Sequence, residues 1–193
     1  MAWNTEETRR RLKEAAVAEF AEHGLAGTRM DRVAARAGIN KERLYNYFGD
    51  KERLFTTVLA DELAKIAAAV PVGSLEDVGD YAGRCFDYHR ENPHLARLLQ
   101  WEALAHRDRE VPDRERRAAH YREKVAAFAA AQSAGRVTTS VPAADLVFLV
   151  MSLSAWWWSV PQVADMVTGA AGPAEDDRRR AAVVEAARRL AAP

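Results

Sequence analysis

Thiols are nearly missing from this chain of 193 residues: Cys85 is its one cysteine. A lone thiol excludes an internal disulfide and a cysteine-based zinc centre within one chain, and it fits a cytoplasmic, reducing location. Net charge is missing as well, since 28 basic residues face 28 acidic ones. The whole molecule is therefore not a polycation, and any nucleic-acid surface has to come from local clustering. Strand signals are almost absent, and no internal repeat or low-complexity tract occurs beyond alanine-rich helix faces. The N-terminus, Met1-Ala2-Trp3-Asn4-Thr5, lacks the basic and apolar regions of a signal peptide. The most apolar run, Leu146 to Val160, is about one helical turn short of a membrane span. It holds three serines and ends at Pro161, so a buried core helix is expected there and no membrane partner. There is no Gly-rich phosphate loop, no His-Glu-x-x-His and no Gly-x-Ser-x-Gly. No catalytic residue, cofactor or metal site is expected; Cys85 and His89, four apart on one helical face, are too few ligands for a metal and read as packing or pocket lining.

What is present points to helices. Alanine, leucine, arginine and glutamate dominate, and Gly or Pro recurs where helices should end. An all-α protein of about nine helices is expected. The first helix should run from Thr5 to His23, with Asn4 as cap, Glu7 reaching back, and Leu12, Ala16, Phe20 and Leu25 as the apolar stripe. Gly24 supplies a left-handed cap. Thr28-Arg29-Met30-Asp31 has capping-box spacing for a short helix from Asp31 to Ala37, ended by Gly38. Ile39 is expected to be buried. Asn40 should cap a third helix from Lys41 to about Tyr47, and Asp50 a fourth from Lys51 to about Val70. Pro71, Gly73 and Ser74 mark a boundary between a domain over 5–65 and a body over 75–191. Helices in that body are expected near 75–91, 94–108, 113–134, 142–168 and 174–191.

Residues 28–48 have helix-turn-helix proportions: two short helices meet at a Gly-containing turn, and the second can lie in a major groove. Charge agrees. From Thr28 to Arg53 there are seven basic and four acidic residues, whereas residues 66–193 hold 16 basic and 17 acidic ones. Leu44 and Phe48, four apart, share a face and should anchor the second helix from behind. Tyr45 and Tyr47 each pair an apolar ring with a hydroxyl that can bond a phosphate. Lys51, in the first turn of the next helix, can hold a phosphate together with the helix amides. Asn40, Lys41, Glu42, Arg43 and Asn46 are the candidates for base reading. Arg43 suits a guanine edge, and Glu42 suits either a cytosine amino group or the helix dipole.

The residues themselves carry a resemblance. Phe20-Ala-Glu-His-Gly24, Gly27-Thr28-Arg-Met30, Val33-Ala34-Ala-Arg-Ala37-Gly38-Ile39-Asn40-Lys41 and Leu44-Tyr45-Asn-Tyr47-Phe48-Gly-Asp-Lys51-Glu52-Arg-Leu54-Phe55 resemble the DNA-binding domain of the TetR family of bacterial repressors, over about residues 8–60. The resemblance implies that Thr28 also binds the DNA backbone. It implies a homodimer on palindromic operator DNA, and a C-terminal body that dimerises through its last two helices and binds a small ligand. Glu42-Arg43 and Arg29 depart from the residues usual in the family, which bears on the operator sequence; Arg29 joins the candidate DNA contacts.

The body itself fits that implication loosely. Tyr81, Cys85, Tyr88, Trp101, His120, Phe128 and Trp156 are the candidate ligand contacts, and core packing explains each aromatic equally well. Trp156, Trp157 and Trp158 are successive and cannot all face one pocket. The helix near 142–168 is apolar nearly all round, and Val183, Ala187 and Leu190 share a face of the last helix; both suit a dimer contact. Arg178, Arg179 and Arg180 read as a solvated face. The expected function is a sequence-specific DNA-binding repressor released by a small molecule. A regulator controlled by a protein partner, and a helical enzyme with an accessory DNA-binding segment, are the alternatives.

Overall fold

A computed structural model describes residues 5–106, 111, 113–169 and 172–193. Among them there are ten α-helices and no strand. In chain order these are α1 (Thr5–Gly27), α2 (Met30–Ala37), α3 (Lys41–Phe48), α4 (Lys51–Ala69), α5 (Val78–Glu91), α6 (Pro93–Ala105), α7 (Arg114–Ser133), α8 (Ala143–Ser159), α9 (Pro161–Thr168) and α10 (Pro173–Ala191). They form two compact units: residues 1–65 with 94–112, and residues 66–93 with 113–193. The helix at 93–105, which the sequence reading placed in the C-terminal body, thus groups with the N-terminal unit. Asn4, the expected cap of α1, and the expected end of the helix near 94–108 lie outside the described residues.

The first unit is organised by α1. Leu12, Ala16 and Phe20 are fully buried, and Leu25 is half-buried. Phe20 meets Phe55 of α4 edge-on, with ring centroids 5.0 Å apart. Gly24 breaks the helix with φ 67° and ψ −178°. The ring of Trp101 on α6 lies where a Cβ at Gly24 would be, within 2.6 Å, and its indole N–H donates to Ala21 O at 3.4 Å. Glu62 of α4 ties α6 from the other end through His94 Nε2 at 2.8 Å, and Lys65 of α4 bonds the same carboxylate at 2.5 Å. Burial pushes the Glu62 carboxyl up, but those hydrogen bonds and charges outweigh it and hold the carboxyl below its ordinary range.

The second unit centres on α5, which packs against α8 and α10, with α7 against α8. Gly79 and Gly83 let α10 approach: a Cβ at Gly79 would meet Val184 O at 2.7 Å, and one at Gly83 would meet Val184 Cγ2 at 2.9 Å. Ion pairs line the same seam. Arg188 grips Asp77 at 2.6 Å and Arg180 grips Asp87 at 2.8 Å. Arg179 is 6 % exposed, bonded to Asp165 at 2.9 Å and lying over the Trp157 ring at 5.4 Å. Arg179 and Arg180 therefore form a partly buried clamp, while Arg178 stays exposed beside Glu175 of its own helix, as a solvated face requires. The helix expected over 142–168 is two helices bent by 89°. Pro161 has no N–H to continue the ladder, and Val160 before it is forced out of helical geometry, to φ −135° and ψ 59°. No single helix among the described residues is long and apolar enough to cross a membrane.

Candidate nucleic-acid interface

The helix-turn-helix is built by its turn. Gly38 takes a left-handed conformation (φ 63°, ψ 34°); its N–H donates to Ala35 O, and the Ile39 N–H donates to Ala34 O, both at 3.0 Å. This closes α2 in a pattern that only a residue without a Cβ adopts easily. Ile39 is buried behind it, and the Asn40 side-chain oxygen accepts the Glu42 N–H at 2.8 Å, starting α3. Asp50 starts α4 in the same way, accepting the Arg53 N–H at 2.8 Å. Both caps match the sequence expectation.

Leu44 is fully buried and Phe48 nearly so, while Lys41, Glu42, Tyr45 and Asn46 are exposed and Arg43 and Tyr47 partly exposed. The polar side of α3 is thus exposed, with two contacts to the rest of its unit. Lys41 bridges to Asp31 of α2 at 2.5 Å and lies 5.9 Å from the Tyr45 ring. The hydrogen bond to Asp31 raises the Lys41 ammonium above its ordinary range. Tyr47 carries the Arg9 guanidinium over its ring at 5.4 Å. Lys51 is half-buried, with its ammonium 3.4 Å from the carbonyls of Ala26 and Thr28. Arg29 is exposed at the head of α2, without a side-chain capping bond.

Thr28 is a correction. It is 2 % exposed, and its hydroxyl donates to Glu19 O at 3.1 Å. Neither a capping box nor a reach to a phosphate follows from that position; the side chain fixes the end of α1 against the start of α2. The sequence reading also missed Glu19. This 6 %-exposed carboxylate accepts from Arg32 Nε at 2.9 Å and Arg36 Nη1 at 3.0 Å. Two of the seven basic residues counted in the segment are therefore held from behind, and one of their two charges is offset there. A lone acid on an otherwise apolar helix face was the available signal.

The ligand candidates divide. Tyr81, Cys85 and Phe128 are buried together, and Tyr88 is half-buried against the same core. Tyr81 and Phe128 meet edge-on at 6.2 Å. Trp101 belongs to the first unit, against Gly24, and is not part of that cluster. Trp156 is 61 % exposed, and His120 is half-exposed with Glu123 at 3.7 Å. Successive residues on α8 point about 100° apart, which turns Trp156 outward while Trp158 packs on Phe86 at 5.4 Å. Among the described residues no three His, Cys, Asp or Glu side chains gather as a metal site.

Comparison with known proteins follows the same lines. Residues 12–58 match the family described as bacterial regulatory proteins, tetR family, and residues 77–189 match the tetracyclin repressor-like C-terminal domain. The HTH-type transcriptional repressor SCO4008 of Streptomyces coelicolor is 42 % identical over 189 residues, covering 98 % of this chain and 97 % of that protein. SCO4942 of the same organism, known from a crystal structure, is 32 % identical with a TM-score of 0.83 over 95 % of this chain and 98 % of its own. A TetR family transcription regulator from Marinobacter aquaeolei shares the fold, with a TM-score of 0.77 at 19 % identity over 100 % of this chain and 99 % of its own. The chain belongs to the TetR family of bacterial transcriptional regulators, with a helix-turn-helix DNA-binding domain ahead of a tetracycline-repressor-like C-terminal domain.

Proposed function

We propose that this regulator represses transcription as a homodimer and leaves its operator when a small molecule binds its C-terminal body. The observation that carries the DNA half is the exposed polar side of α3 above the buried pair Leu44 and Phe48. Two such helices separated by about 34–36 Å reach successive major grooves. Tyr45, Tyr47 and Lys51 then hold phosphates, while Arg43, Glu42 and Asn46 face bases and Lys41 exchanges Asp31 for DNA. The side-chain oxygen of Asn40 is occupied as a cap, which leaves its amide N–H groups as donors. A protein of this kind works in the cytoplasm.

The dimer contact we assign to the outer side of α8 and α9. The apolar stripe of α10 serves its own core, with Val183 and Ala187 buried, whereas Phe148, Trp156, Met166 and Val167 are 72, 61, 75 and 79 % exposed. Of the last two helices expected from sequence, α8 keeps the role and the segment after Pro161 shares it. The ligand acts through the chain itself. α4 runs from one unit into the other, and α6 returns to the first unit, bonded to α4 by His94. A ligand that prefers another placement of these helices changes the spacing of the two α3 helices and weakens operator binding by linkage.

Binding by variants tests the DNA half. Tyr47→Ala with Lys51→Ala should weaken binding to every duplex and lower the salt slope by about one to two phosphate equivalents. Unchanged affinity refutes the docking. Arg43→Ala should instead relax preference at one position per half-site, by about 1–3 kcal/mol.

A further inference from the structure

Lys124 of α7 turns its ammonium into the second unit. Nζ lies 3.2 Å from Tyr81 Oη on α5, and Tyr81 is 1 % exposed. One turn beyond Tyr81 on α5, the Cys85 thiol is buried in the same cluster. One turn beyond Lys124, Phe128 is fully buried against the Tyr81 ring. A second cation near this ring, Arg84, is already matched by Asp80 at 2.9 Å and by the Pro71 carbonyl at 3.0 Å. Lys124 is not: among the described residues no carboxylate forms an ion pair with it, and the groups that favour its charge are Cys85 and its chain neighbour Glu123.

An ammonium held beside apolar side chains without a counter-ion is costly. Burial accordingly pushes Lys124 below its ordinary range, and burial likewise raises the Tyr81 hydroxyl and the Cys85 thiol. An anion placed alongside the ammonium would regain attraction in a medium of low dielectric. The Tyr81 hydroxyl can turn its proton to that anion, and the paired rings of Tyr81 and Phe128 make its surroundings apolar. One unmatched cation suits one negative charge; a phosphate dianion would leave excess charge in an apolar setting.

We propose that Lys124, with Tyr81 and Cys85, anchors the effector of this regulator, and that the effector is an organic monocarboxylate with an apolar body. The proposal rests on the small-ligand reading above. Titration calorimetry on the full-length protein tests it with benzoate, 3-phenylpropanoate and octanoate, each beside its matching alcohol. At least one acid should bind tenfold or more tightly than its alcohol. Lys124→Met should bring that pair within about twofold, and Lys124→Arg should keep the preference. The bound acid should also shield Lys124 from an amine-acylating reagent, mapped by mass spectrometry on the wild type, where the alcohol does not. No acid preference in the wild type, no shielding, or a preference that survives Lys124→Met overturns the proposal. Operator binding by the ligand-free wild type is measured alongside. Its failure sinks the regulator reading, whereas intact operator binding without acid preference sinks the Lys124 site alone.

Discussion

At Gly24, φ 67° with ψ −178° is a region of backbone space that side chains with a Cβ essentially never enter. The Trp101 ring also fills the space where that Cβ would sit. Gly24→Ala should therefore cost the first unit about 2 kcal/mol or more, from backbone strain and overlap together. A thermal melt should show a clear drop; an unchanged melting temperature would mean that α6 packs elsewhere in solution. The sequence made Gly24 visible as a helix breaker, because glycine after a long apolar periodicity has few other uses. It did not make Trp101 its neighbour visible, since 77 positions separate the two and no local pattern encodes such a meeting. Thr28 and Glu19 follow the same logic. The spacing of Thr28 to Asp31 suits a capping box, yet tertiary contact with Glu19 O takes the hydroxyl elsewhere. Lys124 was overlooked because one lysine on a charged helix looks like any solvated side chain until the opposing helix is known.

Helices with strong local punctuation were legible at the scale of whole elements. Gly38, Asn40, Gly49 and Asp50 bracket α2, α3 and the start of α4, and each behaves as cap chemistry dictates. The bend between α8 and α9 was partly legible: Pro161 marked the end of the apolar run, but periodicity on both sides suggested one long helix. The face of α10 was legible as apolar, though not its destination, because a stripe can meet its own chain or a second copy equally well. Gly79 and Gly83 admit one side of α10 onto α5. Within the second unit the large exposed apolar side chains lie on α8 and α9, and the dimer prediction belongs to these elements. Phe148→Ser with Trp156→Ser should shift the protein from dimer toward monomer in sedimentation and weaken operator binding, while the melting temperature of the monomer changes little. A dimer as tight as wild type would move the interface elsewhere.

The whole molecule is two units threaded by one chain that passes between them within α4, at the start of α6 and before α7. Acid should act on each unit through a different group. In the second unit, His89 is 6 % exposed with no hydrogen-bond partner for Nδ1, and burial pushes its imidazole down to about 4. The unfolded chain takes up a proton near pH 6.5, before the folded one does. Stability is therefore highest above pH 6.5 and falls as pH drops from there to about 4, by about 3 kcal/mol at most. Denaturant titrations across that range should show this slope, and His89→Leu should remove it; an equal slope in the variant would reassign it. In the first unit, the lowered Glu62 carboxyl contributes stability above its ordinary value of 4.5 that is lost on further acidification. Its protonation would loosen the hold of α4 on His94. The placement of Trp101 has one more use. The chain has five tryptophans, and Trp156, Trp157 and Trp158 all lie in the second unit, so among the described residues Trp101 is the indole of the first. With phenylalanine at the other four positions, its fluorescence would be an intrinsic optical label for the head that grips DNA. It could follow that head alone, in real time, as a candidate small molecule is added.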